Sequence, residues 1–393
     1  MKKVLLRAPL LTNSGYGVHS RQVFKWLMSK NDIDLTVECL NWGKTSWILD
    51  QDKENGLIRR IMEKSKPIKK GEYDLTLQVQ LPNEWDPSLG KRNIGLTAAV
   101  ETDKCNPEWV DYCNKMDMVI VPSVFTKNVI KRSGALKTKV HVIQEWFDSK
   151  VDNKSLVSKT LNNDKYKFIK TNFNVLIIGQ ITGLSEELDR KNLWNTIKWS
   201  YESLIGKESA GIVIKTSFGK GSVLDKINTR KYLSERIDKI RNKDGPKVYL
   251  IHGNMSQEEI LSLYNHNKIK LFALATRGEG YGLPLIEAAA AGLPIVTTNW
   301  SGHLEFLKKD LFNPVDYVLK EIPKGKIDNN IFKNGVKWAE PKSDSFKDQI
   351  LNVYNNYIEA KEKAKMLKKH VHQNFNMQLI KDKYDKIIFN KEK

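Results

Sequence analysis

The segment Arg277-Gly278-Glu279-Gly280-Tyr281-Gly282-Leu283-Pro284-Leu285-Ile286-Glu287 decides how this chain is read. It follows a predicted strand, Lys270–Ala275, and opens a predicted helix, Pro284–Ala291, with proline in the first turn. The alternating glycines let the backbone approach a ligand closely, and a helix N-terminus favours phosphate. Glu279 sits in the loop, and Glu287 lies about one turn into the helix. Two carboxylates so placed accept hydrogen bonds from two sets of hydroxyls, one at each end of a nucleotide sugar. The bland alternative is a glycine-rich turn with two solvated glutamates. The strand, turn and helix context separates the two readings.

Outward from this segment, both halves of the chain alternate strand and helix, the signature of parallel α/β sheets. Upstream lie strands Asn174–Gly179, Gly211–Lys215 and Lys247–Ile251, with helices from about Lys191, over Lys231–Arg241 and over Gln257–Tyr264. Ser256 with Glu259 forms a capping box. Strand Pro294–Thr298 follows, and from Ser345 the chain is helical and lysine-rich. In the N-terminal half, strands fall at Lys3–Leu6, Leu35–Leu40, Leu75–Val79, Ile94–Ala99 and Met118–Val121, with a helix over Val18–Met28. The polar stretch Val151–Asn172 is the expected boundary. The division is therefore 1–155 and 156–375, with a C-terminal helix, 376–393, expected to join the first domain. Two doubly wound domains place their ligand crevices at the C-terminal ends of their strands, facing each other across a cleft.

The Glu279 and Glu287 pair, a Glu followed by seven residues and a Glu, resembles the hallmark of the GT4 family of retaining glycosyltransferases, which have the GT-B fold of two Rossmann-like domains. The resemblance extends through AAAAGLPIVTTNWSGHLEFL. It covers the C-terminal half well and the N-terminal half more loosely. It implies that Glu279 touches the transferred sugar and Glu287 the ribose diol, with Gly280, Tyr281, Gly282 and Leu283 facing sugar and diphosphate. In Asp189-Arg190-Lys191-Asn192, Lys191 matches the family's diphosphate lysine, with Arg190 beside it. The family's arginine position is Gln180 here, a departure for which Arg190 is the candidate replacement. Lys215, ending a strand, is a further candidate for that pocket. The loop Ser14-Gly15-Tyr16-Gly17 joins the first strand to its helix; by resemblance Gly15 and Gly17 close over the donor phosphates, whereas alone they mark a tight turn. Many relatives have a sugar-contacting histidine near position 101, where this chain has Glu101. Glu101 or Asp103 either orients an acceptor hydroxyl or caps the next helix. Pro122-Ser123-Val124-Phe125-Thr126 is a weaker candidate at another strand end.

Other groupings read as structural. Asp32-Ile33-Asp34 mimics a metal-binding Asp-x-Asp but is expected as a surface turn at the wrong end of a strand. His370 and His372 lie two apart on a helix, on different faces. His303 is expected to be structural or phosphate-facing. No metal and no cofactor are expected, only a nucleotide sugar such as a UDP- or GDP-sugar as co-substrate. Three cysteines, Cys39, Cys105 and Cys113, make neither a CxxC pair nor an even set, which fits a reducing cytoplasm. No window of 18 uncharged apolar residues is present.

The charge is the compositional outlier. Lys and Arg number 65 against 46 Asp and Glu, a formal net charge of +19. A field of that sign gathers polyanions; an AT-rich genome, which inflates lysine, is the competing cause. The expectation is a hexosyl- or pentosyltransferase acting on a polyanionic acceptor. Hydroxymethylated DNA bases of the phage type come first. An anionic membrane lipid or lipid-linked or lipopolysaccharide glycan is the alternative, and a non-catalytic nucleic-acid-binding protein a further one. No protein partner is evident.

Overall fold

The structure, a computed structural model, describes residues 1–152 and 166–389. The expected boundary at 151–172 therefore falls largely outside the described residues, as do the last four residues of the 376–393 segment. The chain forms two compact units.

Unit 1 comprises Met1–Trp146, Ile327–Val336 and the described residues from Met377. Its strands are β1 (Lys2–Ala8), β2 (Ile33–Cys39), β3 (Leu75–Val79), β4 (Asn93–Leu96), β5 (Met118–Val121) and β6 (Val140–Val142). They form one parallel sheet in the order β2-β1-β3-β4-β5-β6. Because both faces are covered, β3 (Leu-Thr-Leu-Gln-Val) is buried along its whole length and β1 from Val4 to Leu6, so neither exposes every second residue. The polar Gln78 is buried with its amide paired in both directions to the Asp86 backbone, at 2.7 and 2.8 Å. Helices α1 (Gly15–Leu27), α2 (Lys53–Lys64), α3 (Pro107–Cys113) and α4 (Val124–Ser133) flank the sheet. The last helix, α11 (Met377–Tyr384), packs on α1: Trp26 stacks on Tyr384 at 4.7 Å, and the Trp26 indole donates to Asp385 at 2.9 Å.

Unit 2 comprises Phe147–Lys326 and Lys337–Asn376. Its sheet contains β7 (Phe173–Ile178), β8 (Ala210–Thr216), β9 (Lys247–His252), β10 (Ile269–Leu274), β11 (Ile295–Thr298) and β12 (Asn313–Val315). All pairings are parallel, in the order β12-β11-β10-β7-β8-β9. Its helices are α5 (Leu193–Ser203), α6 (Val223–Ile240), α7 (Gln257–Tyr264), α8 (Leu283–Ala291), α9 (Ser343–Asn355) and α10 (Tyr357–Asn374). The period of two along β7 builds the core. Leu176 and Ile178 pack with α8 and α10 on one face, through Leu285, Ile286, Leu367 and Val371. Val175 and Ile177 pack with α5 and α9 on the other, through Ile197, Phe346 and Ile350. The winding reverses between β7 and β10, so the crevice of this doubly wound sheet opens at the C-terminal ends of those two strands. Two such Rossmann-like units make a GT-B fold.

Some local expectations needed correction. The predicted helix Lys231–Arg241 begins earlier, at Val223, with Ser222 capping it by accepting from Asp225 N at 3.1 Å. Solvent-exposed Val223, Leu224 and Ile227 break the amphipathic period there, which hid its first two turns. Strand β4 stops at Leu96 rather than Ala99, whose φ of +48° is incompatible with a strand. Ile33 and Asp34 begin β2 rather than forming a turn, although they do lie at the N-terminal end of the sheet. The antiparallel pair β13 (Tyr317–Glu321) and β14 (Lys337–Pro341) was not foreseen.

Candidate active site

The loops after β7, β10 and β11 meet over the switch point of unit 2. Leu283–Ala291 forms a helix because an alanine-rich apolar stretch is bracketed by glycines in the left-handed region, Gly282 (φ +100°) and Gly292 (φ +75°). Gly282 is further constrained, since a Cβ there would sit 3.1 Å from His303 Cβ. The turn before it places Glu279 inside the protein, 5% exposed.

Lys191 reaches the buried Glu279 from the start of α5. Its Nζ lies 2.7 Å from Oε1 and 2.5 Å from Oε2. Arg190 Nη1 is 4.0 Å from Glu279 Oε2 and donates to Gly278 O at 2.7 Å. The Thr276 hydroxyl donates to Oε1 at 3.0 Å. Burial raises the Glu279 pKa, but Lys191 and Arg190 outweigh it and hold the carboxyl below its ordinary range. Glu279 is thus an ionised acceptor at neutral pH. The Asp189 carboxylate holds the backbone beside Lys191, accepting from Lys191 N at 3.2 Å and from Leu193 N, the first amide of α5, at 2.8 Å.

The second carboxylate, Glu287, faces a different set of groups. Tyr264 donates its hydroxyl to Oε2 at 3.2 Å. Burial, with the repulsion of Asp148, pushes the Glu287 pKa up to about 7, against the hydrogen bonds of Tyr264 and Gln257 and the attraction of Lys215. Lys215, at the end of β8, has its own pKa lowered by burial, partly offset by Glu287. The two glutamates of the motif therefore sit in opposite electrostatic environments, one neutralised by cations and one poised to titrate.

The structure thus groups Lys191, Arg190 and Glu279 in one cluster, and Glu287 and Lys215 in another. Gly280, Tyr281, Gly282 and Leu283 connect the two along the chain. Gln180 is exposed, its amide donating to Phe218 O at 3.3 Å. Gly15, Gly17 and Glu101 belong to unit 1. Gly17 has a packing reason to be glycine, because a Cβ would lie 2.2 Å from Thr12 O. Its amide is committed to Ser14 Oγ at 2.9 Å. Gly15 opens α1, where first-turn amides have no partner within the helix. The helix-cap reading of Glu101 and Asp103 is removed: Asn106 caps α3, accepting from Glu108 N at 3.1 Å. Ser123 likewise caps α4. His303 is fully buried and bonded to Thr298 O at 2.7 Å, a structural role. Arg277, inside the deciding motif, is structural too. It grips Glu340 with two 2.8 Å bonds and donates to the Glu186 and Asp189 carbonyls.

Sequence reasoning missed Thr276, Tyr264 and Ser301. The Ser301 hydroxyl accepts from Glu279 N at 2.9 Å. Thr276 directly precedes the motif but no pattern marks it, Tyr264 closes α7, and Ser301 meets Glu279 only when the loops after β10 and β11 converge. Among the described residues, no group of three or more His, Cys, Asp or Glu side chains is arranged to hold a metal ion.

Unit 2 thus carries a buried, cation-held carboxylate beside a helix N-terminus at the switch point of a GT-B fold. Residues 220–314 match the family described as Glycosyl transferases group 1. A stretch of 140 residues is 25% identical to "Putative glycosyltransferase 48" of Sulfolobus islandicus filamentous virus (isolate Iceland/Hveragerdi), covering 34% of this chain and 44% of that protein. The chain thus spans under half the length of that relative. Among solved structures, Anabaena HepE in complex with UDP-glucose superposes with a TM-score of 0.67 at 14% identity, over 98% of both chains. A Rickettsia africae glycosyltransferase (TM-score 0.65, 13% identity, 99% of both chains) shares the same fold. Sucrose-phosphate synthase of Thermosynechococcus elongatus (TM-score 0.64, 12% identity, 98% of both chains) shares it as well.

Proposed function

We propose that the chain is a retaining, metal-independent glycosyltransferase that moves a hexosyl or pentosyl group from a nucleotide sugar to a hydroxyl of a polyanionic acceptor. The observation that carries this reading is the buried Lys191–Glu279 pair at the switch point, next to the N-terminus of α8. Glu279 accepts hydrogen bonds from the sugar hydroxyls. Lys191 and Arg190 stabilise the negative charge that grows on the diphosphate as the glycosidic bond breaks. Glu287 accepts from the ribose diol. The turn at Gly280–Leu283 approaches the phosphates, and Lys215 adds charge near Glu287. Glu101 orients the acceptor hydroxyl. The departing phosphate takes the acceptor's proton, so the protein contributes positioning and electrostatics. The three thiols are unpaired and fit a cytoplasmic setting.

For the acceptor, the +19 net charge favours DNA carrying hydroxymethylated bases. A second reading, an anionic lipid, gains support from α6. There Val223, Leu224 and Ile227 are 77%, 66% and 58% exposed, amid exposed Lys220, Lys226, Arg230 and Lys231. No described helix is long and apolar enough to cross a membrane.

HepE binds UDP-glucose, so radiolabelled UDP-glucose is the first donor to offer, then UDP-GlcNAc and GDP-mannose. Each is supplied with hydroxymethylcytosine DNA and with anionic lipid extract in parallel. Label in DNA is the expected result, with plain cytosine DNA bound but unlabelled. Label only in lipid overturns the DNA reading. Salt-sensitive DNA binding with no affinity for any nucleotide sugar makes the chain a non-catalytic binding protein.

A further inference from the structure

Ser301 adopts φ +91° and ψ −161°, a region that only glycine enters without strain. It is also buried, 5% exposed, so solvent does not dictate the conformation. A serine kept where glycine is the unstrained choice calls for a reason in its hydroxyl, and the contacts supply one. Ser301 Oγ accepts from Glu279 N at 2.9 Å. The next residue completes the grip, with Gly302 N donating to Glu279 O at 2.8 Å. The two backbones are so close that a Cβ on Gly302 would lie 2.0 Å from Gly280 O. On its other side, Ser301 Oγ is 3.4 Å from His303 Nδ1, while His303 Nε2 is 2.7 Å from Thr298 O. The carbonyl requires a donor at Nε2, which leaves Nδ1 as the acceptor for the serine proton. A chain of hydrogen bonds therefore runs from β11 through His303 and Ser301 to the Glu279 peptide.

We infer that Ser301 is a positioning residue: its hydroxyl, held in a glycine-type backbone conformation, anchors the Glu279 amide and so fixes the carboxylate against Lys191. The inference rests on the glycosyltransferase reading, in which Glu279 meets the transferred sugar. A glycine at 301 relieves the strain but leaves the buried Glu279 amide without this acceptor. An alanine loses the acceptor and keeps the strain. The pair of variants separates the two effects.

The experiment follows UDP release from UDP-glucose, UDP-GlcNAc and GDP-mannose (GDP release for the last) with water as acceptor, in wild type, Ser301→Gly and Ser301→Ala. Donor affinity and binding stoichiometry are measured by calorimetry, and melting temperature is recorded alongside. Both variants should lose at least about tenfold in kcat while donor Kd stays within about twofold and stoichiometry is preserved, because the displaced group acts on the reacting sugar. Ser301→Gly should melt above Ser301→Ala. A purely structural role would instead lower the active fraction, so binding stoichiometry would fall with turnover; that result overturns the inference. A Ser301→Gly turnover within twofold of wild type overturns it too, and a Ser301→Gly that melts at or below Ser301→Ala removes the strain argument. Wild type that neither binds nor cleaves any of the three donors would instead defeat the glycosyltransferase reading itself.

Discussion

Replacing Glu287 with glutamine should strengthen the fold and weaken donor binding, each with a defined pH dependence. Glu287 is partly buried beside Asp148, and its pKa stands at about 7 against an ordinary 4.5. For an acid whose folded pKa exceeds its unfolded one, the stabilising contribution is fully present below pH 4.5 and is lost as pH rises through about 7. The shift corresponds to about 3 kcal/mol well above pH 7, at about 1.4 kcal/mol per unit, and solvent access makes that an upper bound. Glutamine keeps an oxygen for the Tyr264 hydroxyl but never ionises. Glu287→Gln should therefore melt with wild type near pH 4.5 and above it at pH 8, by up to about 6–12 °C for a domain of this size. Donor binding should move the other way. An ionised acceptor to a ribose hydroxyl contributes about 1.5–3 kcal/mol, so at pH 8 affinity should fall about 10- to 150-fold. Calorimetry at pH 5 and pH 8, with melting scans at both, reads the two effects. A melting difference that does not vary with pH refutes the buried-acid argument, and unchanged affinity at pH 8 refutes the ribose assignment.

Lys191→Ala should depress turnover more than donor affinity, because charge on the diphosphate grows toward the transition state. It also removes the main attraction opposing burial at Glu279, so the acidic limb of the pH–rate profile should move to higher pH; equal losses in affinity and catalytic efficiency with unchanged kcat would refute this. Activity should survive EDTA, since in the proposed reading Arg190 and Lys191 supply the positive charge at the diphosphate; activity lost to chelator and restored by magnesium or manganese would refute that.

Much of the fold was legible along the chain. Runs such as FNVLII and IKLFAL stay apolar without alternation because parallel strands are covered on both faces, and they gave β7 and β10 nearly to the residue. Pro284 marked the start of α8, since proline is tolerated in a first turn; the left-handed glycines that bracket it, Gly282 and Gly292, emerged with the structure. Where side chains break that local logic, reading failed. The exposed apolar residues at the start of α6 concealed its first turns, and the antiparallel partners β13 and β14 are separated by residues 322–336, too long a connection for a hairpin turn to announce the pairing.

The candidate site divides along the same line. Sequence by itself determined the acids and bases available, Glu279, Glu287, Arg190 and Lys191, and their attachment to strand ends, because those depend only on spacing. It did not decide what each carboxylate would become. Tertiary structure did: convergence of the β7 and β10 loops set two cations against Glu279 and holds it ionised, while Glu287 was buried beside Asp148 and Tyr264 and driven toward neutrality. Sequence singled out Arg190 and gave Arg277, inside the motif, no role; the structure shows why, with Arg277 committed to Glu340 and Arg190 facing Glu279. A pKa and an ion pair depend on distance through space, fixed only when strands far apart in the chain lie side by side.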